Sequence, residues 1–126
     1  MTAAKPQTWD AVLAEHDPVV ADAARAIERL VVGGLPGAVV QFDRGNGLLA
    51  IGSSTRMRGL LFAIIPHRAH VNLQLADGVD LPDPSGLIEG TGKRIRHLKI
   101  RSAEAAAAPA IRDIVRAQVE RRSPGG

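Results

Sequence analysis

Residues Leu81 to Ser102 read LPDPSGLIEGTGKRIRHLKIRS. The run Pro82-Asp83-Pro84-Ser85-Gly86 is turn chemistry, with prolines that fix φ, an aspartate able to bond its own backbone, and a glycine free to take positive φ. Gly90-Thr91-Gly92 is a second break. From His97 to Arg101 the pattern alternates, placing Leu98 and Ile100 inward and His97, Lys99 and Arg101 outward. A half-buried strand at the end of a long Pro/Gly loop must join a sheet that earlier strands have built.

Those strands can be read upstream. His70 to Ala76 alternates, with Val71, Leu73 and Leu75 on one face and Asn72 and Gln74 on the other. Gly59 to Ile65 is almost wholly apolar, as expected of a central strand. Val40 and Phe42 alternate with Gln41 and Asp43, Gly45-Asn46 signals a two-residue hairpin, and Leu48 to Ile51 begins the return strand. The strands are flanked by helices. Asp17 is an N-cap, Pro18 takes the first helical position, and Gly33-Gly34 ends a stripe of Val20, Ala24, Ile27 and Val31. Thr8 can cap a short turn carrying Trp9, Val12 and Leu13, and Ser102 can cap another. A last helix over residues 109–121 carries Ile111, Ile114, Val115 and Val119 on one stripe. The order predicts an α+β fold: a two-layer α/β sandwich in which an antiparallel sheet of four to five strands has N- and C-terminal helices on one face. Sequential strands should be neighbours. Residues 1–126 read as a single domain with an ordered core over about residues 8–122.

The 81–102 stretch also resembles the YdhG-like domain family, small bacterial proteins mostly of unknown function. Both proline positions, Gly86-Leu87-Ile88-Glu89-Gly90-Thr91-Gly92-Lys93 and Arg96-His97-Leu98-Lys99-Ile100-Arg101-Ser102 carry the likeness. It is sharp from Val71 to Ser102 and extends from about Asp17 to the last helix. One branch of the family is described as frataxin-like intracellular iron chaperones. The resemblance therefore implies a frataxin-like arrangement, and iron held by an open set of carboxylates on the first helix and adjoining strand. In this chain that region offers Asp10, Glu15, Asp22 and Glu28, with Asp17 and Asp43 nearby. Iron as a cofactor is implied by the resemblance only. From the residues themselves, Asp22, Arg25, Glu28 and Arg29 make helix-stabilising pairs at i,i+3 and i,i+4 without any metal.

Composition sets bounds on function. The chain has 126 residues and no cysteine, which excludes disulfides, thiolate metal sites and a cysteine nucleophile. It has no apolar run of about 18 residues and no apolar signal-peptide core, so a cytoplasmic protein without membrane contact is expected. The net charge of +3 divides unevenly: residues 1–50 carry four Lys/Arg against six Asp/Glu, and residues 51–126 carry twelve against seven. Lys93, Arg94, Arg96, Lys99 and Arg101 place five cations within nine residues. That basic 93–101 strand suits an acidic partner or nucleic acid, or serves as a charged edge that discourages aggregation. The near absence of stacking aromatics disfavours nucleic acid.

Other motifs favour structure over chemistry. Gly90-Thr91-Gly92-Lys93 lacks the upstream glycine and following Ser/Thr of a phosphate loop, and precedes a strand. Its glycines are expected at positive φ or beside a tight crossing. Asp77, Asp80, Asp83 and Glu89 miss calcium-loop spacing. His16, His67, His70 and His97 show no third ligand nearby. Ser53, Ser54 and Thr55 have no paired base, so no enzyme is expected unless a pocket lies under the 79–92 loop. The leading expectation is a binding domain whose uncovered sheet face presents Gln41, Asp43, Asn72, Gln74, Lys99 and Arg101 to a protein partner or loosely held ligand, as a monomer or homodimer.

Overall fold

A computed structural model describes residues 5–122. The chain begins with helix α1 (Trp9–Ala14) and helix α2 (Pro18–Gly34). Thr8 Oγ1 accepts from the Ala11 amide at 3.1 Å and Asp17 Oδ1 from the Val19 amide at 2.9 Å, so both expected caps form. On α2, Val20, Ala23, Ala24, Ile27 and Val31 are buried. Strands β1 (Val39–Asp43), β2 (Leu48–Gly52), β3 (Leu60–Pro66) and β4 (Val71–Leu75) then form an antiparallel meander. The two-residue β1–β2 hairpin is corrected. Asp43 pairs with Leu48, which leaves four residues in the loop. The Asp43 carboxylate takes Asn46 N at 3.0 Å and Asn46 Nδ2 at 2.8 Å, and Gly47 at φ 63 closes the turn. A self-bonding aspartate and a left-handed glycine outweigh the Gly-Asn dipeptide.

After β4 the chain runs through the long loop to strand β5 (Ile88–Glu89), then to β6 (Arg96–Ile100), α3 (Ala103–Ala106) and α4 (Pro109–Arg121). Among the described residues the fold is α+β, with a six-stranded antiparallel sheet in the order β1-β2-β3-β4-β6-β5 and four α-helices. Two expectations change here. The sheet has six strands rather than four to five, because β5 is only two residues long and shows no period of its own. The sequential-neighbour expectation fails once: β4 and β5 do not pair, since β6 inserts between them. The loop makes this possible. Asp83 accepts from the Leu87 and Ile88 amides at 2.8 and 2.9 Å, folding the Pro-Asp-Pro-Ser-Gly turn back so that Ile88 can pair with Leu98.

Register explains the core. Phe42, Leu49, Ile64, Leu73, Leu98 and Ile88 stand opposite one another across all six strands. Their face packs with the buried stripes of α1, α2 and α4 as one cluster, and α2 lies over β3 and β4. Trp9 seals one corner, its indole donating to Glu28 Oε1 at 2.9 Å and its ring 6.4 Å from that of Phe42. Burying an Ile or Leu on this face contributes about 1.5–3 kcal/mol.

Candidate functional site

The opposite sheet face follows from the same register. One row runs Gln41, Ala50, Ala63, Gln74, His97, Glu89, and the next holds Ile65, Asn72 and Lys99. Of the six residues expected to form a polar platform, Asn72, Gln74 and Lys99 meet on β4 and β6, and Arg101 lies just beyond β6. Gln41 stands two alanines away in the same row as Gln74. Asp43 is at the β1 edge with its carboxylate bound to Asn46, which holds it below the usual carboxylate range. The middle of the face is not polar: Leu61 is 2% exposed and Ala63 5%.

Each end of the face carries cations, Lys99 and Arg101 at one and Arg58, Arg94 and Arg122 at the other. At one end the His67 and His70 rings stack with centroids 4.9 Å apart, and Asn72 Nδ2 lies 3.2 Å from His67 Nε2. Burial lowers the His70 pKa from 6.5, and the neighbouring His67, Lys99 and Arg101 lower it further. Among the described residues the ion-pair contact of Lys99 is a long one, 3.8 Å to Glu89.

The other end is organised by Asp77, whose side chain is 1% exposed. Arg122 grips it with both fork nitrogens, Nε to Oδ2 at 2.7 Å and Nη2 to Oδ1 at 2.9 Å. Arg94 Nη2 donates at 3.0 Å and Gln118 Nε2 at 2.8 Å, and Gln118 Oε1 receives the Asp77 amide at 2.8 Å. These bonds, those from Arg122 first, outweigh burial and hold the Asp77 carboxyl well below its ordinary 3.8. The same pairing raises Arg122. Arg122 Nη1 also donates to the Arg58 carbonyl at 2.9 Å. One carboxylate thus fastens the end of α4 to the chain leaving β4 and to the segments entering β3 and β6. Gly78 is needed beside it, because a Cβ there would run into Arg96.

Between the clamp and the sheet lies a cleft of ≈ 590 Å³. Leu61, Ala63 and Ala76 line it, Ile95 forms a wall, and Arg58, Arg94 and Arg122 stand around it. Ile95 is 52% exposed. Arg58 is exposed and makes no ion pair among the described residues. Arg94 uses a single nitrogen on Asp77, so its other donors face solvent. Among the described residues Arg94 and Arg122 share one carboxylate, Asp77, so the mouth is net positive. A smaller cleft of ≈ 360 Å³ lies between the 82–85 turn and α4. Its Asp83 is occupied by backbone amides.

The remaining expected residues separate. Among the helix acids, Asp10 binds Arg25 at 2.9 Å and Glu28 accepts from Trp9, while Glu15 and Asp22 stand without a shared partner. No group of three or more His, Asp or Glu side chains able to hold a metal occurs among the described residues. The loop acids are dispersed: Asp80 binds Arg121 at 2.9 Å, and Glu89 faces Lys99. The basic run also divides, because Arg96 lies on the helix-side face and donates to the Gly92 carbonyl at 2.7 Å. The Gly-Thr-Gly step is structural as expected, with Gly90 at φ 115 and Gly92 against the Ile95 carbonyl. Sequence reasoning missed Gln118, Arg58, Ile95 and the partnership of Asp77 with Arg122. Gln118 did carry a signal, since it continues the Ile111–Ile114–Val115 stripe as a polar residue and is 0% exposed.

Among the described residues no helix is long and apolar enough to cross a membrane. Comparison of the chain with protein-family models, curated proteins and solved structures gives no match.

Proposed function

We propose that the protein is a non-catalytic binding module that receives an anionic ligand on its open sheet face. The observation that carries this is the distribution of charge: Arg58 and Arg94 at one end and Lys99 and Arg101 at the other flank an apolar stretch of the face. Opposite charge guides encounter, while apolar floor area adds affinity. Catalysis has no support in the serines of the 53–55 turn. Ser53 Oγ contacts the Gly59 carbonyl at 3.5 Å and Ser54 Oγ accepts from the Arg56 amide at 3.3 Å, both within the turn.

Nucleic acid is the weaker form of this reading. Arg121 and Arg122 are engaged with Asp80 and Asp77, and Arg96 faces away, so the cations do not line up as a phosphate track. A frataxin-like iron role is what the resemblance to YdhG-like domains implies. It rests here on Glu15 and Asp22, since Asp10 and Glu28 already have partners.

The test is a chemical-shift titration of labelled protein with inorganic phosphate, a Glu-rich peptide, a Lys-rich peptide and, anaerobically, ferrous iron. Shifts at Gln74, His97 and Lys99 with the anions alone are expected. Anion-induced shifts confined to the outer faces of α2 and α4, or no shift with either anion, would refute the proposal. Iron broadening centred on Glu15 and Asp22 would favour the frataxin-like role.

A further inference from the structure

We infer that the cleft at the Asp77 end is a site for an amphiphilic small molecule, one with a carboxylate or phosphate head and an apolar tail. The inference rests on the reading of the open face as an anion-binding surface and specifies what this end of it takes.

The cleft has two chemically distinct parts. The mouth carries guanidinium groups whose forks match carboxylate and phosphate oxygens. Arg94 is already oriented, since one of its nitrogens is fixed on Asp77 at 3.0 Å while the side chain stays 68% exposed. Arg122 is held at both fork nitrogens and at the Arg58 carbonyl, so it acts as a fixed post. Among the described residues Arg58 has no ion-pair partner, and the segment bearing it is pinned by that carbonyl bond. The interior is apolar: Leu61, Ala63 and Ala76 form a floor with no charge, and Ile95 stands half out of it.

Ile95 is the clearest sign of an occupant. A large aliphatic side chain 52% exposed, between Arg94 and Arg96, does little for the fold but walls the cleft. At ≈ 590 Å³ the space falls within the usual range for small-molecule sites, about 300–1,000 Å³. A small inorganic anion alone would leave the half-buried Ala76 and the exposed Ile95 wet. A neutral apolar molecule would leave Arg58 without use. An amphiphilic anion satisfies both parts.

The test uses the full chain, with decanoate, decyl phosphate, decyltrimethylammonium and inorganic phosphate as probes below micellar concentrations. Calorimetry and amide shifts are followed in wild type and in Arg58→Ala, Ile95→Ser and Arg44→Ala. Arg58 and Ile95 are exposed, and the Arg58 carbonyl that Arg122 uses survives substitution, so the variants keep the fold. Arg44, on the β1–β2 loop, controls for the loss of one charge. Saturable decanoate or decyl phosphate binding is expected, with shifts at Leu61, Ala63 and Ile95. It should weaken about tenfold in Arg58→Ala and in Ile95→Ser, and stay unchanged in Arg44→Ala. The tighter of the two anions identifies the head group. Equal binding of decyltrimethylammonium, equal binding of phosphate alone, or equal losses in Arg44→Ala would overturn the inference. Silence to both amphiphilic anions with shifts from phosphate or the Glu-rich peptide on β4 and β6 would overturn it and leave the broader reading standing. Silence to every anion would remove both.

Discussion

Replacing Asp77 with asparagine tests the clamp most directly, because it keeps the shape and removes the charge. The substituted carboxamide would keep one acceptor oxygen but turn an NH₂ toward the donors of Arg122 or Gln118, which now contact Oδ1 and Oδ2 at 2.7 to 2.9 Å. Breaking a buried ion pair ordinarily costs about 3–5 kcal/mol, because the stranded charge stays dry. Here the stranded cations reach water, with the Arg94 side chain 68% exposed and that of Arg122 30%. The expected loss therefore falls to about 2–3 kcal/mol near neutral pH, or a midpoint lower by roughly 10 °C. The pH dependence identifies the cause. Asp77 has a folded-state pKa below its ordinary 3.8, so its contribution is full above that value and is lost as pH falls through it toward the folded pKa. Urea denaturation of wild type and Asp77→Asn should thus show a gap near pH 7 that narrows by about pH 2.5. Asp80→Asn, which breaks only the exposed pair with Arg121, should cost under about 1 kcal/mol. A gap under about 0.5 kcal/mol near neutral pH, or one that does not change with pH, would refute the account of Asp77 as a charged fastener.

Two other outcomes follow from single contacts. Gly78→Ala would drive a Cβ into Arg96 backbone and Cβ atoms, so thermal or urea unfolding should show a loss of about 1–3 kcal/mol, whereas Gly33→Ala in open space should show none. His70 should titrate below 6.5 by NMR, and Lys99→Gln should raise it only partway back because burial is the larger cause. A full return, or no movement, would contradict that ranking.

The helices and most of the sheet were legible because their signals are local. Asp17-Pro18 and Ser102 cap within three residues, and alternation in Val71–Leu75 or Arg96–Ile100 needs no knowledge of a partner. The sixth strand was not legible for a physical reason. Ile88 and Glu89 are extended only because Asp83 turns the chain and Leu98 and His97 stand opposite. Asp77 misled for a related reason. Beside Gly78 it reads as a turn residue, and nothing local announces an arginine 45 positions later. A buried glutamine on the α4 stripe was the one available hint that a polar partner lay beneath.

The cleft was least legible, and the reason lies in how concavity arises on a sheet. Alternation says which side chains point to the open face, but depth comes from their relative sizes across strands. Ala63 on β3 and Ala76 just past β4 are short, while Gln74, Ile95 and the arginines at 58, 94 and 122 rise around them. Each alanine read alone is an ordinary strand residue. The apolar run of β3 did hold one clue: a strand whose outward residues Leu61 and Ala63 are as buried as its inward Phe62 and Ile64 must have cover on both sides. On the helix side that cover is α2, and on the open side it includes the arginine-rimmed segments that Asp77 draws together. Stability and recognition are therefore coupled at this end of the sheet. The carboxylate that fastens α4 also fixes the posts of the cleft, so loosening the clamp should weaken anion binding along with the fold.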